Sequence, residues 1–166
     1  LGDFANIQNA RAILSLFLLQ AGTPITEKTA QGVRSALAGE RSFGATPAES
    51  AVRFYTEFAD PAKTVYSWNR SLPNSRQSFL SGDTAFYVGF ASELAHIQSA
   101  NPNLDFDIAR IPQPATATSR TTYGVGYAFA IPKQSKNPTG AYTVATAITG
   151  SGDALTLADS MGMVSA

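Results

Sequence analysis

Apolar and polar positions follow several distinct rhythms along the chain, and each rhythm predicts an element. In residues 3–21, Ile7, Ala10, Leu14, Phe17 and Leu18 form one helical stripe, which Ile13, Leu16 and Leu19 widen around the cylinder. A helix this apolar must be buried on most sides. Gly22 follows as a C′ residue able to take positive φ. Residues 23–45 carry Gly32, Gly39 and Gly44 and no sustained periodicity, so they read as loop with room for one short helix. Thr46-Pro47-Ala48-Glu49 is a helix start: a capping hydroxyl, a proline at the first position and a glutamate reaching back. Val52, Tyr55, Phe58 and Ala59 form the buried stripe of that helix, which Pro61 ends.

The second half changes rhythm more often. Residues 62–73 form a connection holding the single tryptophan, Trp68. Residues 74–80 predict a short helix stopped by Gly82. Residues 84–90 are rich in aromatic and β-branched side chains and predict a buried strand. Ser92 opens a helix that Pro102 terminates after Asn101. Leu104, Phe106 and Ile108 alternate with Asp105, Asp107 and Ala109, the period of a half-buried strand. Residues 112–118 are a Pro/Ala/Thr loop, and residues 123–131 predict a second long strand. Asn137-Pro138 begins a helix carrying Tyr142, Val144, Ala145 and Ile148, and residues 151–161 predict a last one. About three strands set between helices place the chain in the α/β class, with a sheet thin for 166 residues.

Charge narrows the partners. Twelve basic and twelve acidic side chains cancel, and charged residues make up 14% of the chain, against roughly 25% for a typical soluble domain. No basic run is present to neutralise phosphates, so nucleic acid is not an expected partner. Few charges and many hydroxyl and amide side chains point to polar, uncharged partners. Without cysteine the chain has no disulfides, thiolate nucleophiles or thiolate metal sites. The apolar run at residues 12–19 is too short to span a bilayer.

Catalytic chemistry has little to build on. His96 is the only histidine, sits mid-helix and reads as a solvated or satisfied side chain. No metal-ligand spacing occurs, and no cofactor is expected. Gly124-Val125-Gly126 precedes strand residues rather than a helix, the wrong context for a dinucleotide loop. Asp83, Glu93, Asp105 and Asp107 could supply a carboxylate pair for glycoside chemistry. Asp105 and Asp107 also read simply as the solvated face of a strand.

Three places concentrate groups suited to a neutral polar ligand. In Tyr66-Ser67-Trp68-Asn69 a ring can lie against a pyranose and Asn69 offers a donor and an acceptor, although Trp68 also fits a core position. At residues 89–93 a strand gives way to a helix, so Phe90, Ser92 and Glu93 sit beside free backbone N–H groups, with Ser92 equally readable as an N-cap. At residues 121–124 threonine hydroxyls, Tyr123 and Gly124 cluster at a strand entrance, which is also an ordinary use of these residue types.

With these residues in view, the chain resembles a known family. The segment 78–86 (SFLSGDTAF), Gly89 with the helix after it, Asn101-Pro102, Ile111-Pro112, residues 123–131 and Ser135-Lys136-Asn137-Pro138 with Ala141 occur in the order found in extracellular solute-binding protein family 1, the maltose-binding-protein-like receptors of ABC transporters. Residues 150–163 resemble the short helix and turn near that family's end. The resemblance implies a helix-rich lobe of a type II periplasmic-binding-protein fold with a small central sheet. It implies that residues 1–166 form a single domain, the carboxy-terminal lobe, and that the amino-terminal lobe lies outside the chain. The three places above give the expected ligand-binding residues, Trp68, Asn69, Phe90, Ser92, Glu93, Tyr123 and Gly124; Trp68 is the expected stacking ring, because the chain has Phe90-Ala91 where many sugar-binding members of the family carry a tryptophan. The implied partners are a small polar ligand, a sugar, and an ABC transporter permease. No catalysis is implied, and the location is extracytoplasmic, in the periplasm or at the cell surface as a lipoprotein. The competing functions are a glycoside-processing enzyme and a surface interaction module.

Overall fold

The structure is a computed structural model that describes residues 1–37, 45–115 and 117–160. Helices dominate, joined by a small two-stranded antiparallel sheet and long extended segments. The chain divides into two compact units, one built from Leu1–Val88 with Leu104–Tyr123 and the other from Gly89–Asn103 with Gly124–Ala166.

The first unit holds helix α1 (Ala10–Gln20), strands β1 (Thr26–Thr29) and β2 (Gly32–Ser35), and helices α2 (Pro47–Glu57) and α3 (Ser75–Leu80). Helix α1 starts later than its apolar stripe predicts. Asp3 Oδ1 takes the Ala5 N–H at 2.7 Å and the Asn6 side chain reaches across to the 69–72 loop, so the polar residues of this stretch bond outside a helix. The far end follows the prediction. Gly22 takes φ +76°, and the N–H groups of Gly22 and Thr23 donate to Leu19 and Leu18 carbonyls at 3.0 Å each. These bonds satisfy carbonyls that the helix end would leave bare. Gly82 closes α3 in the same way at φ +81°. Helix α2 carries the predicted capping box: Thr46 N–H donates to Glu49 Oε2 at 2.7 Å and Glu49 N–H to Thr46 Oγ1 at 3.1 Å.

The core lies between α1 and α2. Ile7, Ala10, Ile13, Tyr55 and Trp68 form one buried cluster, and Leu18, Ala48 and Ala51 a second, with Leu14 and Phe17 packed against both. Tyr55 is 3% exposed, and its hydroxyl donates to the Asp3 carbonyl at 2.6 Å. Burial, with the Asp3 charge nearby, pushes its pKa up to about 12. The neutral phenol is thus favoured in the folded state. Its contribution is fully present below the unfolded value of about 10 and is lost as pH rises toward the folded one. Tyr55→Phe is therefore expected to be less stable near neutrality by about 1 kcal/mol. It should also lose the steep fall in stability between about pH 10 and 12. Urea midpoints across that range check both effects.

The sheet arises where the sequence reads as loop. Strands β1 and β2 join through the two-residue turn Ala30-Gln31, with Thr29 opposite Gly32 and Glu27 opposite Arg34. Gly32 tolerates φ +127° there. Glu27 and Arg34 form an ion pair across the strands. Most of these residues face solvent, so no apolar alternation announces the hairpin, and the sheet is a surface element rather than a central one. Gly39 and Gly44, read with this loop, lie outside the described residues, as does residue 161 of the last predicted helix and the turn up to 163.

The three predicted strands, residues 84–90, 104–109 and 123–131, join no ladder among the described residues. A strand takes its stability from lateral neighbours, and local residue type cannot supply one. Rings take over part of that role. Phe79 of α3 stacks on Tyr87 at 5.6 Å and meets Phe106 edge-on at 5.8 Å, anchoring two of the extended stretches. The Gln113 side chain bonds Thr121 on both sides: Oε1 accepts its N–H at 2.9 Å and Nε2 donates to its carbonyl at 3.0 Å. That amide imitates a ladder pair and closes the 113–121 loop.

The second unit comprises a 3₁₀ turn (Ala91–Glu93), helix α4 (Leu94–Ala100), the extended run from Gly124, and helices α5 (Pro138–Thr149) and α6 (Ser151–Ser160). Asn137 caps α5 by accepting the Gly140 N–H at 2.9 Å. Ile97 and Ala158 are buried, but Val125, Tyr127 and Phe129 are 63%, 82% and 60% exposed, and Tyr142 and Val144 66% and 59%.

Candidate functional site

The 66–71 turn is built around an inward tryptophan. Trp68 is 6% exposed, packs with Ile7, Ala10, Ile13 and Tyr55, and donates its Nε1–H to Asn6 Oδ1 at 3.0 Å. Its ring belongs to the core and offers no free face to a solute. The turn is fixed from beneath, because the N–H groups of Ser67 and Trp68 both donate to the Phe58 carbonyl, at 2.9 and 3.1 Å. Asn69 sits on its rim. Its Oδ1 accepts the Ser71 N–H at 2.9 Å, its Nδ2 donates to the Tyr66 hydroxyl at 2.9 Å, and its carbonyl accepts from Asn6 Nδ2 at 2.9 Å. Tyr66 is 40% exposed.

Asp3 pins the same turn from the amino-terminal side, its Oδ2 lying 3.3 Å from Arg70 Nε. The Ala5 N–H bond, with the Arg70 charge adding to it, holds the Asp3 carboxyl below its usual range. Its ionised form therefore favours the folded state at neutral pH, and that support is lost as pH falls through the lowered value.

The second predicted group forms a compact turn of its own. Glu93 Oε1 accepts the Phe90 N–H at 2.9 Å, and the Glu93 N–H returns to the Phe90 carbonyl at 3.0 Å. Glu93 thus caps the turn, which corrects the reading of Ser92 as the cap. Ser92 lies exposed within the 3₁₀ turn, and Phe90 is half-buried. Tyr123 and Gly124 lie where the chain passes from the first unit to the second, Tyr123 half-buried and Gly124 exposed. The structure thus joins Tyr66, Asn69 and Ser71 in one turn, and Phe90 with Glu93 in another. Asp107 bonds the neighbouring Ile108 N–H at 2.7 Å, and His96 is exposed. Among the described residues no three of His, Asp or Glu gather as a metal site, and no helix is long and apolar enough to cross a membrane.

Sequence reasoning missed Asn6 and passed over Tyr66 in favour of Trp68. Asn6 lies next to the apolar stripe, and nothing in its local pattern marks it as the acceptor for an indole 62 positions away.

A family model described as bacterial extracellular solute-binding protein matches residues 4–166. The chain belongs to that family, whose members bind solutes outside the cytoplasm for transport and are generally non-catalytic. Its location is extracytoplasmic. The match supports the family at large and not a maltose-binding-like branch of it. No curated protein and no solved structure matches the chain.

Proposed function

We propose that this chain supplies the carboxy-terminal lobe of a receptor that captures a neutral sugar and delivers it to an ABC transporter permease. The observation carrying the ligand class is the 66–71 turn, where backbone and amide bonds fix a half-exposed aromatic ring beside Asn69. Such a surface recognises hydroxyl groups and an apolar ring face with little ordering cost. Asn69 and Tyr123 in the first unit are proposed hydrogen-bonding residues; in the second unit Ser92, on the turn that Phe90 and Glu93 shape, and the Gly124 backbone are each proposed to hydrogen-bond solute.

The second unit supports the proposed amino-terminal lobe. Val125, Tyr127, Phe129, Tyr142 and Val144 of this unit stand exposed to water. An apolar cover from that lobe would bury them. In the complete receptor the solute bridges the lobes and shifts the population toward a closed form.

Calorimetric titration of the complete receptor with neutral oligosaccharides is expected to show saturable binding. Heat only with dipeptides or polyamines would overturn the sugar reading. Glycoside chemistry is the competing reading, but Glu93, one of its candidate acids, is engaged in holding the Phe90 N–H. A chromogenic glycoside should show no turnover; turnover abolished by Glu93→Gln would establish the enzyme instead.

A further inference from the structure

We infer that Tyr66 is the residue against which the sugar ring stacks, the role the sequence assigns to Trp68. This rests on the carbohydrate reading of the same site and adds a named specificity residue to it.

The two rings stand two positions apart and have opposite fates. Trp68 is 6% exposed and its only N–H donor on the ring is taken by Asn6, whereas Tyr66 is 40% exposed. The Tyr66 phenol oxygen accepts from Asn69 Nδ2 at 2.9 Å. A phenol that accepts one hydrogen bond keeps its own proton to donate. Ring and donor together match the pattern of a pyranose: an apolar C–H face edged by hydroxyl oxygens that accept.

The side chain is also held in place before any ligand arrives. The backbone N–H of Tyr66 donates to the Lys63 carbonyl at 3.1 Å, and the backbone N–H groups of Ser67 and Trp68 converge on the Phe58 carbonyl. Asn69, which orients the phenol, is itself fixed by the Ser71 N–H at 2.9 Å. A tyrosine has few torsions to freeze, and here the surrounding turn fixes its backbone and orients its hydroxyl. Arg70, with a side chain 80% exposed, spends Nε on Asp3 and keeps its other guanidinium donors in solvent. The same turn therefore also carries donors suited to hydroxyl oxygens.

The test is calorimetry on the complete receptor with maltotriose, cellotriose and xylotriose, comparing wild type with Tyr66→Ala, Tyr66→Phe and Gln31→Ala. For whichever trisaccharide binds, Tyr66→Ala is expected to weaken affinity about tenfold. Tyr66→Phe, which keeps the ring and loses the donor, should weaken it by about threefold. Gln31→Ala, at the exposed hairpin turn, should bind as wild type does. Circular dichroism and the melting midpoint should stay unchanged in all three. Wild-type affinity in Tyr66→Ala overturns this assignment and leaves the receptor reading intact. A wild type that binds dipeptides or polyamines and none of the three sugars overturns the carbohydrate reading and this inference with it.

Discussion

Trp68→Ala is expected to lower folding stability by about 3–5 kcal/mol, the usual cost of emptying a large buried aromatic site. The side chain fills the space between residues 7–13 of the amino-terminal stretch and Tyr55 of α2, so its loss opens a cavity at the junction of three segments. It also removes the donor that ties the 66–71 turn to Asn6. A loss of that size is a large share of the roughly 5–15 kcal/mol available to a typical domain. Urea denaturation followed by circular dichroism gives the difference directly. Trp68→Phe should cost less and leave solute affinity near wild type, because this ring is packed inside rather than presented to a ligand. Loss of binding in a stably folded Trp68→Phe protein would return the stacking role to this position.

Asn6→Ala should cost about 2–3 kcal/mol, out of proportion to a partly exposed side chain. One amide serves three partners: its oxygen accepts the Trp68 indole N–H at 3.0 Å, and its nitrogen donates to the carbonyls of Asn69 and Leu72 at 2.9 Å each. Truncation leaves the indole N–H without its acceptor in a buried setting, where an unmade bond is expensive. Asn6→Asp should not rescue. It restores an acceptor for the indole but turns a carboxylate oxygen toward two carbonyl oxygens. Because Asn6 and Trp68 share a bond, the double variant Asn6→Ala/Trp68→Phe should lose less than the two single losses combined. Additive losses would show that the bond carries no weight in the fold.

These two residues also show what the sequence reveals and what it hides. Features fixed within one turn of chain were legible. The Thr46–Glu49 box, the glycines at 22 and 82 and the Asn137 cap occur where the local pattern places them, because each depends on residues three or four apart. Features decided by distant segments were not legible. Residues 84–90 and 123–131 have strand-like composition, but composition carries no information about a lateral neighbour. The hairpin at 26–35 was hidden for the opposite reason, since its faces are polar and exposed and lack a readable alternation. At the candidate site the turn itself was legible as a cluster of aromatic and amide groups. Which of Tyr66 and Trp68 points inward was not, because Asn6, far away in sequence, settles it.

The proposed receptor, of which this chain is one lobe, closes on its solute. Small-angle X-ray scattering of the complete receptor, with and without a saturating trisaccharide, measures that closure. Closure predicts a smaller radius of gyration and a shorter maximum dimension in the loaded form. Identical scattering curves at demonstrated saturation would contradict it.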